Sequence, residues 1–324
     1  MRIVRYHEHG DPEVLRVDEV PPPEPGPGQV RIRTEAVGVN FGGLQERQGV
    51  FYARSVPLPA SPGGDAVGVV DAIGEGVTGV RPGDRVASII FQNAFADQVL
   101  ARARDLVHVP AGMRAAEATM LSSPAQVGLE VVKAARIAAG ETVLVHAAAG
   151  AIGHLVVQMV VARGGRVIAA ANSAEKLGFA RELGAEHGVD YSRDDWDEQV
   201  RAVTGGAGVD VVLDSVGADI TGRSIALLRP YGRLVFYGSA GGGKSLPTVS
   251  MEELAGIRYV THFTMSALDA DVAAIAETAR EVVDLVSSGA VRPVVHAELP
   301  LTEAAKAHRL MEERTQLGRV VLLP

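Results

Sequence analysis

Cysteine is absent from the 324 residues, which excludes disulfides and every thiolate metal site at once. Positive charge is in deficit. The 31 basic residues against 39 acidic ones leave a net charge of −8, which argues against nucleic acid as a partner. Only four of the basic residues are lysines, so a lysine at a meaningful place carries weight. No run reaches eighteen apolar residues, so no membrane span is expected. The opening "MRIVRYHEHGDPEV" puts polar residues where a secretion signal needs an apolar core, and the expected location is cytoplasmic. What is present is 47% hydrophobic and 22% charged, over a length suited to two domains of ordinary size.

The first 110 residues read as β-rich. "VLRVDEV" and "QVRIRTEAVGV" alternate apolar and polar residues, and "PPPEPGPG" between them cannot enter a sheet interior. "GDAVGVVDAIGEGV" and "GDRVASII" continue short strands between turn residues. From about residue 115 the pattern changes. Strands are predicted at 142–146, 166–171, 209–214 and 233–237, with helices near 151–163, 174–183, 195–203 and 219–228. That alternation implies right-handed βαβ crossovers and a parallel sheet. A helix near 269–288 and a closing strand, "GRVVLL", follow.

The turn "AAAGAIG" after the strand at 142–146 has the pattern of a dinucleotide fingerprint, with Ala148 in place of its first glycine. Gly150 would let the backbone of Ala149, Ala151 and Ile152 approach a pyrophosphate, and Gly153 would let helix and strand pack closely. The helix N-terminus would supply N–H donors and a positive dipole. A tight turn with no ligand is the alternative. At the end of the next strand an NAD site wants an acid for the ribose hydroxyl. Here stand Asn172 and Ser173, with Lys176 three residues on, groups that suit a 2′-phosphate and so NADPH. Ser173 as a plain helix cap, with Lys176 on a solvated face, is the competing account.

These residues together resemble the medium-chain dehydrogenase/reductase superfamily, in its zinc-independent quinone oxidoreductase (zeta-crystallin-like) branch. "PEVLRVDEVPPPEPGPGQVRIRTEAVGVNF", "GVTGVRPGDRV", "GETVLVHAAAGAIGHLVVQ", "LGAEHGVDY", "GVDVVLDSVG", "GRLVFYG" and "GRVVLLP" follow in family order. The resemblance implies an α/β protein. A doubly wound parallel-sheet domain of Rossmann type at 121–257 would bind NADPH. A discontinuous, β-rich, GroES-like catalytic domain would be formed by 1–120 and 258–324, with the cofactor in the cleft between the two.

By position, Tyr191 and Arg319 would join Ser173 and Lys176 at the 2′-phosphate. Asn40 would lie beside the nicotinamide, and Gly238 and Ser239 along its face. Zinc-dependent relatives place a cysteine where Asn40 stands and "GHE" where this chain reads Gly63-Gly64-Asp65, so no zinc is expected. Gly43, Phe51, Asp65 and the run Gln126-Val127-Gly128 depart from the branch and suggest an altered, roomier active-site wall. Phe41, Phe51, Tyr52 and Gln126 are the candidate substrate-pocket residues, and Asn40 and Tyr52 the candidate catalytic ones.

The reaction expected from the resemblance is NADPH-dependent reduction of a quinone or another conjugated carbonyl. An enoyl or alkenal reductase, or a non-catalytic NADPH-binding protein like the lens crystallins, remain alternatives. The resemblance also implies a homodimer, with the apolar strand in "GIRYVTHFTM" (256–265) at the pairing edge.

Overall fold

Two sheets of opposite character divide the chain. A computed structural model describes residues 1–51, 56–241, 246–265 and 272–324. One compact unit comprises Met1–Gln126, Asp271–Ser287 and Pro293–Pro324, and the other Val127–Ala270 and Ser288–Arg292. This differs from the expected boundaries at both edges. Residues 259–262 belong to the parallel sheet, which carries the second unit past 257. Residues 288–292 also return to that unit, where Gln158 exchanges two hydrogen bonds with the backbone of Arg292, at 2.8 and 3.0 Å.

The first unit begins with an antiparallel pair, β1 (Arg2–Arg5) and β2 (Arg16–Glu19). Its main sheet holds β3 (Gln29–Val39), β4 (Gly64–Ile73), β5 (Arg85–Ile90), β6 (Gln98–Arg102) and β7 (Val107–His108), and, from the C-terminal segment, β14 (Val295–Pro300) and β15 (Arg319–Leu323). The order is β14-β15-β3-β4-β5-β7, with β6 also pairing β3. Strand β3 is the pivot. It pairs antiparallel with β4 on one side and with β15 on the other, so that Gly38 stands opposite both Asp65 and Val321. Helix α1 (Phe41–Gln48) leaves directly from the end of β3, and α9 (Ala304–Glu312) precedes β15. Short α2 (Ala115–Ala118) and then α3 (Ser123–Ala134) lead out of the β-rich region. The long α8 is Val272–Ser287.

The second unit is a six-stranded parallel sheet of Rossmann type. Its strands are β8 (Thr142–His146), β9 (Arg166–Ala171), β10 (His187–Asp190), β11 (Val209–Asp214), β12 (Leu228–Phe236) and β13 (Tyr259–His262). The crossover helices are α4 (Gly153–Ala162), α5 (Ala174–Glu182), α6 (Trp196–Val203) and α7 (Asp219–Ala226). The sheet runs β10-β9-β8-β11-β12-β13, so strand order reverses between β8 and β11. Helices on both faces bury the central strands completely, which is why the middles of β8 (Val143–Val145) and β11 (Val211–Leu213) are consecutive apolar residues instead of alternating ones. In such sheets ligands bind beyond the carboxyl ends of the strands at the reversal. That is where the glycine turn lies.

Candidate functional site

The turn after β8 is held by its own backbone. Ala147 takes a positive φ of 49°, and its carbonyl accepts from Gly150 N–H at 2.9 Å. A Cβ at Gly153 would sit 2.1 Å from that carbonyl oxygen, so only glycine allows α4 to start so close to β8. At Gly150 an added Cβ would meet only the same oxygen, at 3.3 Å, so packing within the chain barely requires glycine there. Ala148 and Ala149 are buried, while Gly150, Ala151 and Ile152 are partly exposed. The helical ladder begins with His154 N–H donating to Gly150 C=O, and the preceding first-turn amides have no intrahelical acceptor.

At the ends of β9 and β10 the candidate phosphate residues converge. Tyr191 N–H donates to Ala171 C=O at 3.1 Å, which sets Tyr191 beside Asn172 and Ser173. The Ser173 hydroxyl caps α5, accepting from Lys176 N–H at 3.3 Å. The cap account of Ser173 therefore holds. The account of Lys176 as a solvated residue does not, for its side chain is only 9% exposed. Asn172 Oδ1 is a buried acceptor with no hydrogen-bond partner. No acid stands in this corner on β9.

The third element is the loop after β12. Gly238 and Ser239 lie on a segment bonded to the loop after β11, with Ala240 N–H donating to Ser215 C=O at 3.0 Å and Gly241 N–H to Val216 C=O at 2.7 Å. Asp214 organises that loop by accepting from Val216 N–H, Gly217 N–H and the Thr221 hydroxyl at 2.8, 3.1 and 2.6 Å. Tyr237, whose phenol burial pushes above its usual pKa, packs beneath. His146 faces the core instead of the turn. It stacks edge-on to Trp196 and bonds Ser224 at 2.8 Å, and burial lowers its pKa.

In the first unit, Asn40 is the residue at which β3 passes into α1. Its Oδ1 accepts from Arg319 Nη2 at 3.0 Å. The same nitrogen donates to Asp65 Oδ2 at 2.5 Å, with Arg319 1% and Asp65 0% exposed. The other carboxylate oxygen, Asp65 Oδ1, accepts from the Ser122 hydroxyl at 2.8 Å and from Ser123 N–H at 2.9 Å, at the positive end of α3. To reach Asp65 the guanidinium crosses β3 over Gly38, where a Cβ would lie 2.1 Å from Arg319 Nε.

This corrects the expectation for Arg319. The guanidinium is sealed, with Nη2 held by Asp65 and Asn40 and Nε buried without a partner, so at 1% exposure it offers almost no surface to a cofactor phosphate. The roomier wall is also corrected at two positions. A Cβ at Gly128 would meet Val156 Cγ2 at 3.2 Å and Met159 Sδ at 3.6 Å, and one at Gly43 would meet Gly63 C=O at 3.1 Å. Neighbours fill both places. Phe41 packs on the core of the β unit, and Gln126 is buried with Nε2 donating to Leu121 C=O at 3.2 Å. Phe51 is partly exposed, and Tyr52 lies outside the described residues.

Sequence reasoning missed the pairing of Asp65 with Arg319. The available signal was an acid at the start of β4 and a base opening β15, each followed by a run of mostly apolar residues. Buried charges of that kind need partners.

Residues 26–111 match the alcohol dehydrogenase GroES-like domain family and residues 183–322 the family described as zinc-binding dehydrogenase. A 2-haloacrylate reductase from a Burkholderia species is 36% identical, covering 98% of this chain and 97% of its own length. A mycobacterial protein solved with NADPH is 35% identical at a TM-score of 0.93, with both chains covered in full. The Escherichia coli quinone oxidoreductase solved with NADPH is 30% identical at a TM-score of 0.91, again with both covered in full.

Proposed function

Because this chain belongs to the quinone oxidoreductase branch of the medium-chain dehydrogenase/reductase superfamily, and is an NADPH-dependent oxidoreductase of that type, we propose that it reduces quinones or other conjugated carbonyls. The observation that carries the cofactor preference is the end of β9, where the Ser173 hydroxyl and the nearly buried Lys176 stand in place of an acid. A cation at this place favours a 2′-phosphate, whereas the acid of an NAD site would repel one. Ser173, Lys176 and Tyr191 would hold the 2′-phosphate, with Asn172 Oδ1 accepting from a ribose hydroxyl. Ala149–Gly153 would hold the pyrophosphate, and the unforced glycine at 150 fits a backbone approached by a ligand. The bound nicotinamide supplies the hydride. Gly238 and Ser239 would confine its ring, and Asn40 would donate to the acceptor carbonyl as negative charge develops there. Phe41 and Phe51 would flank a flat acceptor, and water would protonate the resulting enolate.

A second reading, reduction of an activated carbon–carbon double bond, draws on the 2-haloacrylate reductase relative. Following NADPH absorbance with quinones, enones and haloacrylates separates the two. Tight NADPH binding with no turnover on any of them would overturn both and favour a protein that merely holds the cofactor.

We read the site as zinc-independent. The chain has no cysteine, and a side chain at residue 64 would meet Gly38 C=O at 2.7 Å, which leaves no room for a ligating histidine. Metal analysis of the purified protein should find no stoichiometric zinc. We also read the protein as a homodimer, because β13 borders the parallel sheet with Tyr259 56% and Ile257 51% exposed, an edge that two-fold pairing would close. A monomeric mass by light scattering at micromolar concentration would rule that out.

A further inference from the structure

We propose that Arg319, locked by Asp65, is a positioning residue that fixes the amide of Asn40 with its NH2 group presented to the acceptor carbonyl. The inference rests on the reading of Asn40 as the carbonyl donor, and adds how the chain enforces it. A free asparagine amide can rotate by half a turn and present either a donor or an acceptor at nearly the same place. Only one of those states polarises a carbonyl. Arg319 removes the choice, because a guanidinium carries donors and no acceptor, so the Asn40 atom facing Nη2 at 3.0 Å has to be oxygen. The NH2 group is thereby left pointing away from the arginine. Asn40 is the partly exposed member of the cluster, while the two charges behind it are sealed.

The arginine itself has little freedom. Asp65 holds Nη2 at 2.5 Å, and Asp65 is in turn fixed by the Ser122 hydroxyl and Ser123 N–H. Gly38 supplies the passage: with any side chain there the guanidinium could not cross β3 between β15 and β4. Four segments distant in sequence thus converge on one amide. A lone ion pair would stabilise the sheet without needing its shared nitrogen to touch Asn40.

The test combines three variants. Asn40→Ala should lower kcat ten- to a thousandfold, the range for one lost oxyanion donor, and leave the dissociation constant for NADPH, read by fluorescence, within about twofold. Full activity in Asn40→Ala would sink the reading of Asn40 itself. Arg319→Lys keeps a charge for Asp65 but loses the planar fork that reaches Asn40. It should lower kcat at least fivefold with NADPH affinity kept, and in the double variant with Asn40→Ala it should add nothing further. If Asn40→Ala is impaired while Arg319→Lys is not, or if the two losses multiply, Asn40 keeps its role and the positioning by Arg319 is overturned.

Should Arg319→Lys fail to fold, Asn40→Asp decides. It keeps an oxygen for Arg319, and its melting temperature should not fall, yet its outward atom becomes an acceptor. Loss of turnover as large as in Asn40→Ala supports the proposal. Retained turnover overturns it, because the orientation of the amide would then be immaterial.

Discussion

Lys176 and Arg319 are both cations nearly withdrawn from water, and they are built in opposite ways. Lys176 stands in the first turn of α5, three residues after the cap that starts the helix, and everything that places it lies within a short stretch and the neighbouring strand end. Arg319 is placed by β3, β4, β15 and the start of α3, which meet across some 280 residues of chain. In the second, a partner carboxylate is already in place. The difference separates a cation set by its own helix start from one set by distant strands and touching a neighbouring amide.

The sharpest way to break this comparison is to neutralise each cation. Arg319→Met leaves Asp65 buried with one oxygen unpaired. Removing one partner of a sealed pair costs about 3–5 kcal/mol, so urea unfolding at neutral pH should show a loss in that range. A loss below about 1 kcal/mol would mean that water reaches Asp65 and that the cluster is not the closed unit described. Lys176→Ala should act on the cofactor instead. A charge-assisted contact contributes about 1.5–3 kcal/mol, so the Michaelis constant for NADPH should rise roughly ten- to a hundredfold while that for NADH stays put. Equal losses for both cofactors would show that Lys176 shapes the corner without touching a 2′-phosphate.

The same contrast explains what could be read from the sequence. The strands at 142–146, 166–171 and 209–214 coincide with β8, β9 and β11, because a parallel strand buried on both faces has consecutive apolar residues at its centre and small or polar residues where it ends. The turn at 147–153 was legible because its spacing is local, and the 2.1 Å approach at Gly153 gives the mechanical reason for that glycine. Strand β10 escaped notice: "HGVD" is four residues long and only one of them is fully buried, too little for a periodic signal. Arg319 was misassigned for a different reason. Position along the chain says that a base opens the last strand, whereas its meaning depends on which strand lies two places away in the sheet. Gly38 carries that information, yet in sequence it is one small residue in "AVGVNF". The place of β13 was hard to read for a similar reason, since it joins β12 only through pairing across a long connection.

The smallest effect expected concerns a histidine sealed in each unit, and it asks whether the two sheets resist acid alike. His308 on α9 is buried. Its Nδ1 accepts from Arg47 Nε at 3.2 Å, Arg47 also pairs with Glu312, and the Phe95 ring meets the imidazole edge-on at 5.7 Å. Burial, reinforced by the Arg47 charge, pushes its pKa down to about 3. In the unfolded chain a histidine titrates near 6.5. Above pH 6.5 neither state binds the proton and stability does not depend on this group. Below it the unfolded chain takes up a proton that the folded chain refuses, so stability falls as pH falls, down to about 3. One unit below the unfolded pKa the loss from His308 alone is about 1.4 kcal/mol. His146 in the parallel sheet is shifted in the same direction by burial, against the opposing pull of Asp214, and adds to the loss. Carboxylates held low by arginines, such as Asp97 and Glu141, lose their contribution only below about pH 4.5, and so do not contribute between pH 7.5 and 5.5. Urea midpoints should therefore drop between pH 7.5 and 5.5, and His308→Leu, whatever its stability at pH 7.5, should show a shallower drop. An unchanged slope in that variant would mean that His308 takes up its proton in the folded β domain about as readily as in the unfolded chain, and that the Arg47 contact does not exclude it.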